Sequence, residues 1–150
     1  CLMLLVIGML STSVLAETLT VEQGYIRETI PGTKVSAAYF TIKNTSEKSR
    51  TIIGVTSEFS PRLELHQHSM KNVMMKMRQI EQIDIPAGGE AVLQPSGLHI
   101  MIFELDNPLI SGNSQQLTLH LKNGDRLNVE LPVQSLKGQK AKSSGHHHHH

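Results

Sequence analysis

Residues 117–131 read LTLHLK-NGD-RLNVEL, and this stretch gives the clearest indication of the fold class. On both sides of Asn123-Gly124-Asp125, apolar residues alternate with polar ones, which is the period-2 pattern of strands with one buried face. An Asn-Gly pair between two such runs is a strong signal for a β-hairpin. The stretch therefore predicts two antiparallel strands joined by a tight turn.

The rest of the chain repeats this arrangement at short intervals. Turn residues such as Pro31-Gly32, Asn44-Thr45-Ser46 and Pro95-Ser96-Gly97 separate runs rich in β-branched, aromatic and aliphatic residues. Predicted strands cover residues 18–29, 35–43, 50–56, 63–70, 74–85, 91–94, 98–105, 116–122 and 126–133. No segment has a sustained helical period, although residues 70–77 have room for a turn. The spacing predicts an all-β, antiparallel sandwich or barrel.

Both ends of the sequence are predicted to lie outside this domain. Residues 1–16 form an uncharged apolar run that ends in small residues, which is typical of a signal peptide, here truncated at its start. The run is shorter than the roughly 20 apolar residues of a membrane-spanning helix. A lipoprotein role for Cys1 is the less favoured alternative, because no residue precedes it to form a lipobox.

The remaining boundaries follow from composition. Residues 17–134 are expected to form one β-domain, residues 135–142 a flexible tail, and residues 143–150, SSGHHHHH, an expression tag. Five of the nine histidines therefore belong to the tag. We expect an exported protein without stable membrane insertion after signal cleavage.

Charge and cysteine content exclude several functions. The formal net charge is +1 with mixed signs, so no basic run indicates nucleic acid and no basic amphipathic helix indicates a membrane surface. The single cysteine, Cys1, lies in the predicted signal peptide. The domain therefore has no disulfide, no thiol chemistry and no thiolate ligand.

Histidine and methionine are concentrated in one window of the domain. All five methionines outside the signal peptide lie between residues 70 and 101, and three of the four histidines outside the tag lie in nearly the same window. These residues are His66, His68, Met70, Met74, Met75, Met77, His99 and Met101. The alternative explanation is that methionine fills irregular gaps in the core.

Strand alternation argues against core filling at residues 98–102. Leu98, Ile100 and Ile102 share one face of a strand, so His99 and Met101 share the other. By the same rule, Glu64, His66 and His68 lie opposite Leu63 and Leu65. For residues 74–78 the pattern is ambiguous, and alternation does not show which strands are neighbours.

The ligand types indicate the metal. Thioether sulfur is soft and neutral and imidazole is borderline, so together they suit Cu(I) better than Zn²⁺, Ca²⁺ or Mg²⁺. A thioether loses no proton on binding, so such a site holds copper until its histidines protonate.

The spacing resembles a known motif. His66, ten residues, Met77, twenty-one residues and then His99-x-Met101 is similar to the H-x10-M-x21-H-x-M motif of periplasmic PCu(A)C-type copper chaperones. The surrounding segments LELH, VMMKMR, IPAGGEAVLQPSGLHIM and AAYFTIKN also resemble that family, over essentially the whole domain.

The resemblance implies a cupredoxin-like Greek-key β-sandwich that binds one Cu(I) through His66, Met77, His99 and Met101. It also implies a periplasmic carrier that delivers copper toward the CuA domain of cytochrome c oxidase subunit II, alone or with a Sco-type thiol protein. The sequence departs from some members in having no His or Met in the tail before the tag.

The neighbouring residues have less defined roles. His68 and Met70 share alternation with His66 and are candidates for secondary metal contacts. Met75 is predicted to be core filler, and His120 to lie on a strand surface without a role.

Three other functions compete with a copper carrier. An electron-transfer cupredoxin needs a Cys thiolate and is excluded. A copper enzyme cycles through Cu(II), which prefers nitrogen and oxygen donors, so we expect no enzyme. The remaining alternative is a structural or protein-binding β-sandwich with methionines as core filler and no specific metal.

Overall fold

The computed structural model describes residues 18–71 and 74–135. The predicted signal peptide (1–16) and tag (143–150) lie outside these residues, as do the predicted tail beyond Ser135 and the middle of the predicted turn, residues 72–73. Within the described ranges, no helix combines the length and the apolar character needed to cross a membrane.

Ten strands form in the described part of the chain. They are β1 (Leu19–Arg27), β2 (Ser36–Asn44), β3 (Arg50–Ser57), β4 (Arg62–Lys71), β5 (Met74–Gln79), β6 (Ile83–Ile85), β7 (Glu90–Val92), β8 (Leu98–Phe103), β9 (Ser114–Leu121) and β10 (Arg126–Gln134). The sequence pattern predicts eight of these strands to within two residues at each end. One predicted run, residues 74–85, is in fact two strands.

The division of that run follows from a change of partner. β5 pairs with β4, whereas β6 pairs with β3. The amide of Ile80 donates to the carbonyl of Leu65 over 2.9 Å, which ends the first pairing. The chain then crosses to β3 within residues 80–82.

The strands form two layers. β5-β4-β8-β2-β1 is one sheet, with β7 also paired to β2, and β10-β9-β3-β6 is the other. Ile26 and Arg27 of β1 pair with Val133 and Gln134 of β10 in parallel, which joins the two layers. The all-β prediction is confirmed, but antiparallel pairing is wrong for β1 and β10. These strands are the first and the last of the described sequence, so the long connection that parallel pairing requires is present.

One hydrophobic core fills the space between the layers. Leu65, Ile100 and Ile102 of the first sheet are buried there with Leu117 and Leu119 of β9. This arrangement confirms the core side predicted for β4 and β8. The opposite face of the first sheet carries the histidines and methionines.

A bulge in β1 brings two backbones close together. Gln23 has a positive φ of 52°, and the pairing of β1 with β2 shifts between Glu22 and Tyr25. A Cβ atom at Gly24 would overlap Cδ2 of Leu131 on β10. Glycine at this position therefore lets β1 lie close to β10.

Candidate metal centre

Three adjacent strands carry the histidines and methionines on one face. β4 lies between β5 and β8: His68 is paired with Met77 of β5, and His66 is paired with His99 of β8. The next alternate position of β8 is Met101, which is half-buried. The structure thus brings His66, Met77, His99 and Met101 onto neighbouring strands, which alternation alone could not establish.

The closest approach within this group is between His99 and Met77. His99 Nε2 lies 3.2 Å from Met77 Sδ. His99 Nδ1 donates to the carbonyl of Gly97 over 3.0 Å, because a carbonyl can only accept. Burial lowers the pKa of His99 and so favours the neutral ring, in which Nε2 carries a lone pair. A thioether has no proton to donate, so two electron-pair donors face each other.

His66 is held by a carboxylate. His66 Nε2 donates to Glu64 Oε2 over 3.0 Å, and Arg62 Nε donates to Glu64 Oε1 over 3.1 Å. The hydrogen bond from His66, helped by Arg62, lowers the pKa of Glu64 against the effect of burial. His66 Nδ1 is buried and has no hydrogen-bond partner in the described part of the chain. A carboxylate that orients a ligand histidine in this way is a common feature of metal sites.

His68, a candidate secondary contact, lies beside His99. Its ring centroid is 5.0 Å from that of His99, and its Nδ1 is buried without a partner among the described residues. Met70, the other candidate secondary contact, lies one alternate position further along β4 and is exposed.

A cavity of about 240 Å³ opens beside this group. His68, Met77, His99 and Met101 line it together with Tyr39 and the connection between β1 and β2, residues 28–35. His66 is not among the lining residues. The donor set at this face is mixed imidazole and thioether. Among the described residues, no group of three or more His, Cys, Asp or Glu side chains is arranged to hold a metal.

Four parts of the site were not predicted from the sequence. Glu64 shares alternation with His66, so its role could have been inferred. Tyr39 lies in a strand buried on both faces, and its ring centroid is 6.2 Å from that of His99. The Gly97 carbonyl and the β1–β2 connection carry no side-chain signal that points to a site.

The prediction that Met75 fills the core is wrong. All six residues of β5 are exposed, and among the described strands this edge strand pairs only with β4. The exposed methionines also remove the premise of the structural alternative, which needed them in the core. They are Met70, Met74, Met75 and Met77. His120 is half-buried on β9, where its Nε2 lies 2.8 Å from Thr56 Oγ1. Strand β9 belongs to the other sheet from β4, β5 and β8, which carry the candidate site.

Comparison with known proteins relates the chain to a family. The model of the LpqE-like family, described as "Putative lipoprotein LpqE-like", matches residues 19–133. The chain is 33% identical over 108 residues to "Putative lipoprotein Lxx21020" of Leifsonia xyli subsp. xyli. That match covers 71% of this chain and 65% of the relative, so the chain spans just under two thirds of that protein's length.

Solved structures with the same fold are PCuAC domains. The solution structure of CuI-DR1885 from Deinococcus radiodurans is 30% identical with a TM-score of 0.58, covering 79% of this chain and 81% of that one. The copper-bound PCuAC domain from PmoF2 has a TM-score of 0.67 at 16% identity, covering 79% and 93%. These likenesses confirm the cupredoxin-like sandwich that the motif resemblance implies. The chain belongs to the LpqE-like family and has the fold of the PCuAC copper domains.

Proposed function

We propose that this protein is an exported copper carrier that binds one Cu(I) through His66, Met77, His99 and Met101. The observation that carries the proposal is the 3.2 Å approach of His99 Nε2 to Met77 Sδ. At this distance the lone pairs of Nε2 and Sδ repel each other unless a cation is bound to both atoms.

The donor set favours Cu(I) over other metals. Soft thioethers and neutral imidazoles select Cu(I), whereas carboxylate and carbonyl oxygens suit Mg²⁺ and Ca²⁺. A site without thiolate holds the ion less strongly than a thiolate site does. Such a site suits a carrier, which must release its metal, and not an enzyme.

Relatives support the assignment of copper and of export. The 30% identical Deinococcus radiodurans protein was solved with Cu(I), and the family description names lipoproteins, which are exported. We propose a periplasmic location and delivery to the CuA domain of cytochrome c oxidase subunit II, alone or together with a Sco-type thiol protein.

Anaerobic titration of Cu(I) against a colorimetric chelator, on protein freed of residues 143–150, tests the binding. We expect one tightly bound ion, and Met77→Leu or Met101→Leu should weaken it by about a hundredfold or more, because changes outside the ligand shell already cost 10- to 100-fold. Met74→Leu is the matched control, since Met74 is exposed on the other face of β5. Equal affinity in wild type and His99→Ala would contradict the ligand assignment.

Transfer to an acceptor tests the delivery. A CuA-bearing domain mixed with the loaded carrier should acquire copper faster than it does from free Cu(I) at the same concentration. The characteristic absorption of the CuA centre reports the rate. Equal rates from carrier and free ion would contradict delivery and leave the binding site intact.

A further inference from the structure

The row of donors continues beyond the cavity along the β4–β5 hairpin. Met70 is paired with Met75, one alternate position past the His68–Met77 pair. Side chains alternate between faces in both strands, so these two pairs project from the same face. Paired side chains have Cβ atoms about 5 Å apart, and successive pairs on one face are about 7 Å apart.

Exposure rises steadily along this row. His99 is 2% exposed, Met77 48%, Met75 51% and Met70 66%. The row thus runs from a buried imidazole to two thioethers at the edge of the sheet. A partner protein can contact the outer pair without opening the cavity.

The chemistry of the outer pair suits the same ion. Methionine side chains are unbranched and flexible, so both thioethers can turn toward one ion. His68 lies between the cavity residues and the Met70–Met75 pair. Its ring centroid is 5.0 Å from that of His99, and Met70 is the next residue on its face of β4. Its buried, unpartnered Nδ1 can complete a set of one imidazole and two thioethers.

We propose that His68, Met70 and Met75 form a second Cu(I) site at the outer end of this row, through which copper passes between the buried site and a partner. This proposal rests on the proposed function and adds the route that the ion takes. Copper remains Cu(I) throughout, and no thioether gains or loses a proton. Each transfer therefore exchanges one neutral ligand for another, with His68 able to contact the ion at both sites.

Methionine methyl NMR on untagged protein, during anaerobic addition of two equivalents of Cu(I), tests the second site. We expect the first equivalent to shift the methyl signals of Met77 and Met101, and the second to shift those of Met70 and Met75. The Met74 methyl should stay unshifted. A second equivalent that shifts Met74 as much as Met70, or shifts neither Met70 nor Met75, would overturn the proposal.

Release kinetics test the route. In the double variant Met70→Leu/Met75→Leu, the affinity for the first equivalent should stay within about twofold, because both residues lie outside the cavity wall. Transfer of that ion to a chelator should slow by about tenfold, because a neighbouring site raises the effective concentration of ligand. Met74→Leu should transfer at the wild-type rate.

The two proposals fail in different ways. Unchanged transfer in the double variant, with tight binding of one ion in wild type, would overturn the route and leave the carrier function standing. No tight binding of the first ion in wild type would overturn the carrier function and the route together.

Discussion

His66 and His99 are held by different kinds of partner. Glu64 accepts a hydrogen bond from His66, whereas the backbone carbonyl of Gly97 accepts one from His99. In each ring, the hydrogen bond made by one nitrogen fixes the orientation of the other. Alternation along β4 puts Glu64 on the same face as His66 and so makes that partner predictable. The Gly97 carbonyl could not be predicted, since its direction depends on the turn before β8.

Replacing Glu64 tests whether it positions His66. Glu64→Ala should release the tautomer of His66 and weaken Cu(I) binding by about 10- to 100-fold. Glu64→Gln keeps an oxygen that accepts the hydrogen bond, so it should retain the tautomer and lose less affinity. Long-range ¹H–¹⁵N NMR of the ring reads the tautomer, and chelator competition reads the affinity. An unchanged tautomer and affinity in Glu64→Ala would contradict the role.

The alternation of apolar and polar residues predicts where most strands lie but not which strands are neighbours. Runs of alternating residues predict where strands lie, because every strand except β5 has a buried side chain on at least one face. Strand β5 is exposed on both faces at the edge of the sheet, so its sequence carries no information about a core side. The neighbours β4 and β8 are separated by 26 residues, 72–97, and only the three-dimensional pairing brings His66 beside His99.

The β1 bulge gives a test of packing between elements. Gly24→Ala should lower the free energy of unfolding by about 1–3 kcal/mol, because the new methyl group must displace the buried Leu131 side chain. Gly54→Ala on β3 is the matched control, since its added Cβ has no atom within 4 Å. Urea denaturation of both variants measures the difference. Equal stability of the two would contradict the close contact between β1 and β10.

At the scale of the whole molecule, local pattern and family resemblance contribute different information. The hairpin of β9 and β10 is predictable from residues 117–131 alone, and Gly124 adopts a positive φ of 95° in its turn. The pairing of β1 with β10 is not predictable from local pattern, because these strands are separated by almost the whole domain. The covering of the cavity by residues 28–35 likewise depends on the assembled sandwich, because those residues form no strand.

The parallel pairing of β1 and β10 also decides where affinity tags should be attached. β10 ends beside the cavity wall, because the amide of Glu28 donates to the carbonyl of Gln134 over 2.9 Å and both Arg27 and Glu28 line the cavity. A polyhistidine segment fused after Gln134 through ten flexible residues can extend about 33 Å and can therefore present its imidazoles to the bound ion. Leu19 begins β1 about 26 Å from Arg27, so a tag fused before it starts at the far end of the sheet. With an N-terminal tag, the measured copper stoichiometry would therefore reflect the domain alone. A C-terminal tag would add competing ligands.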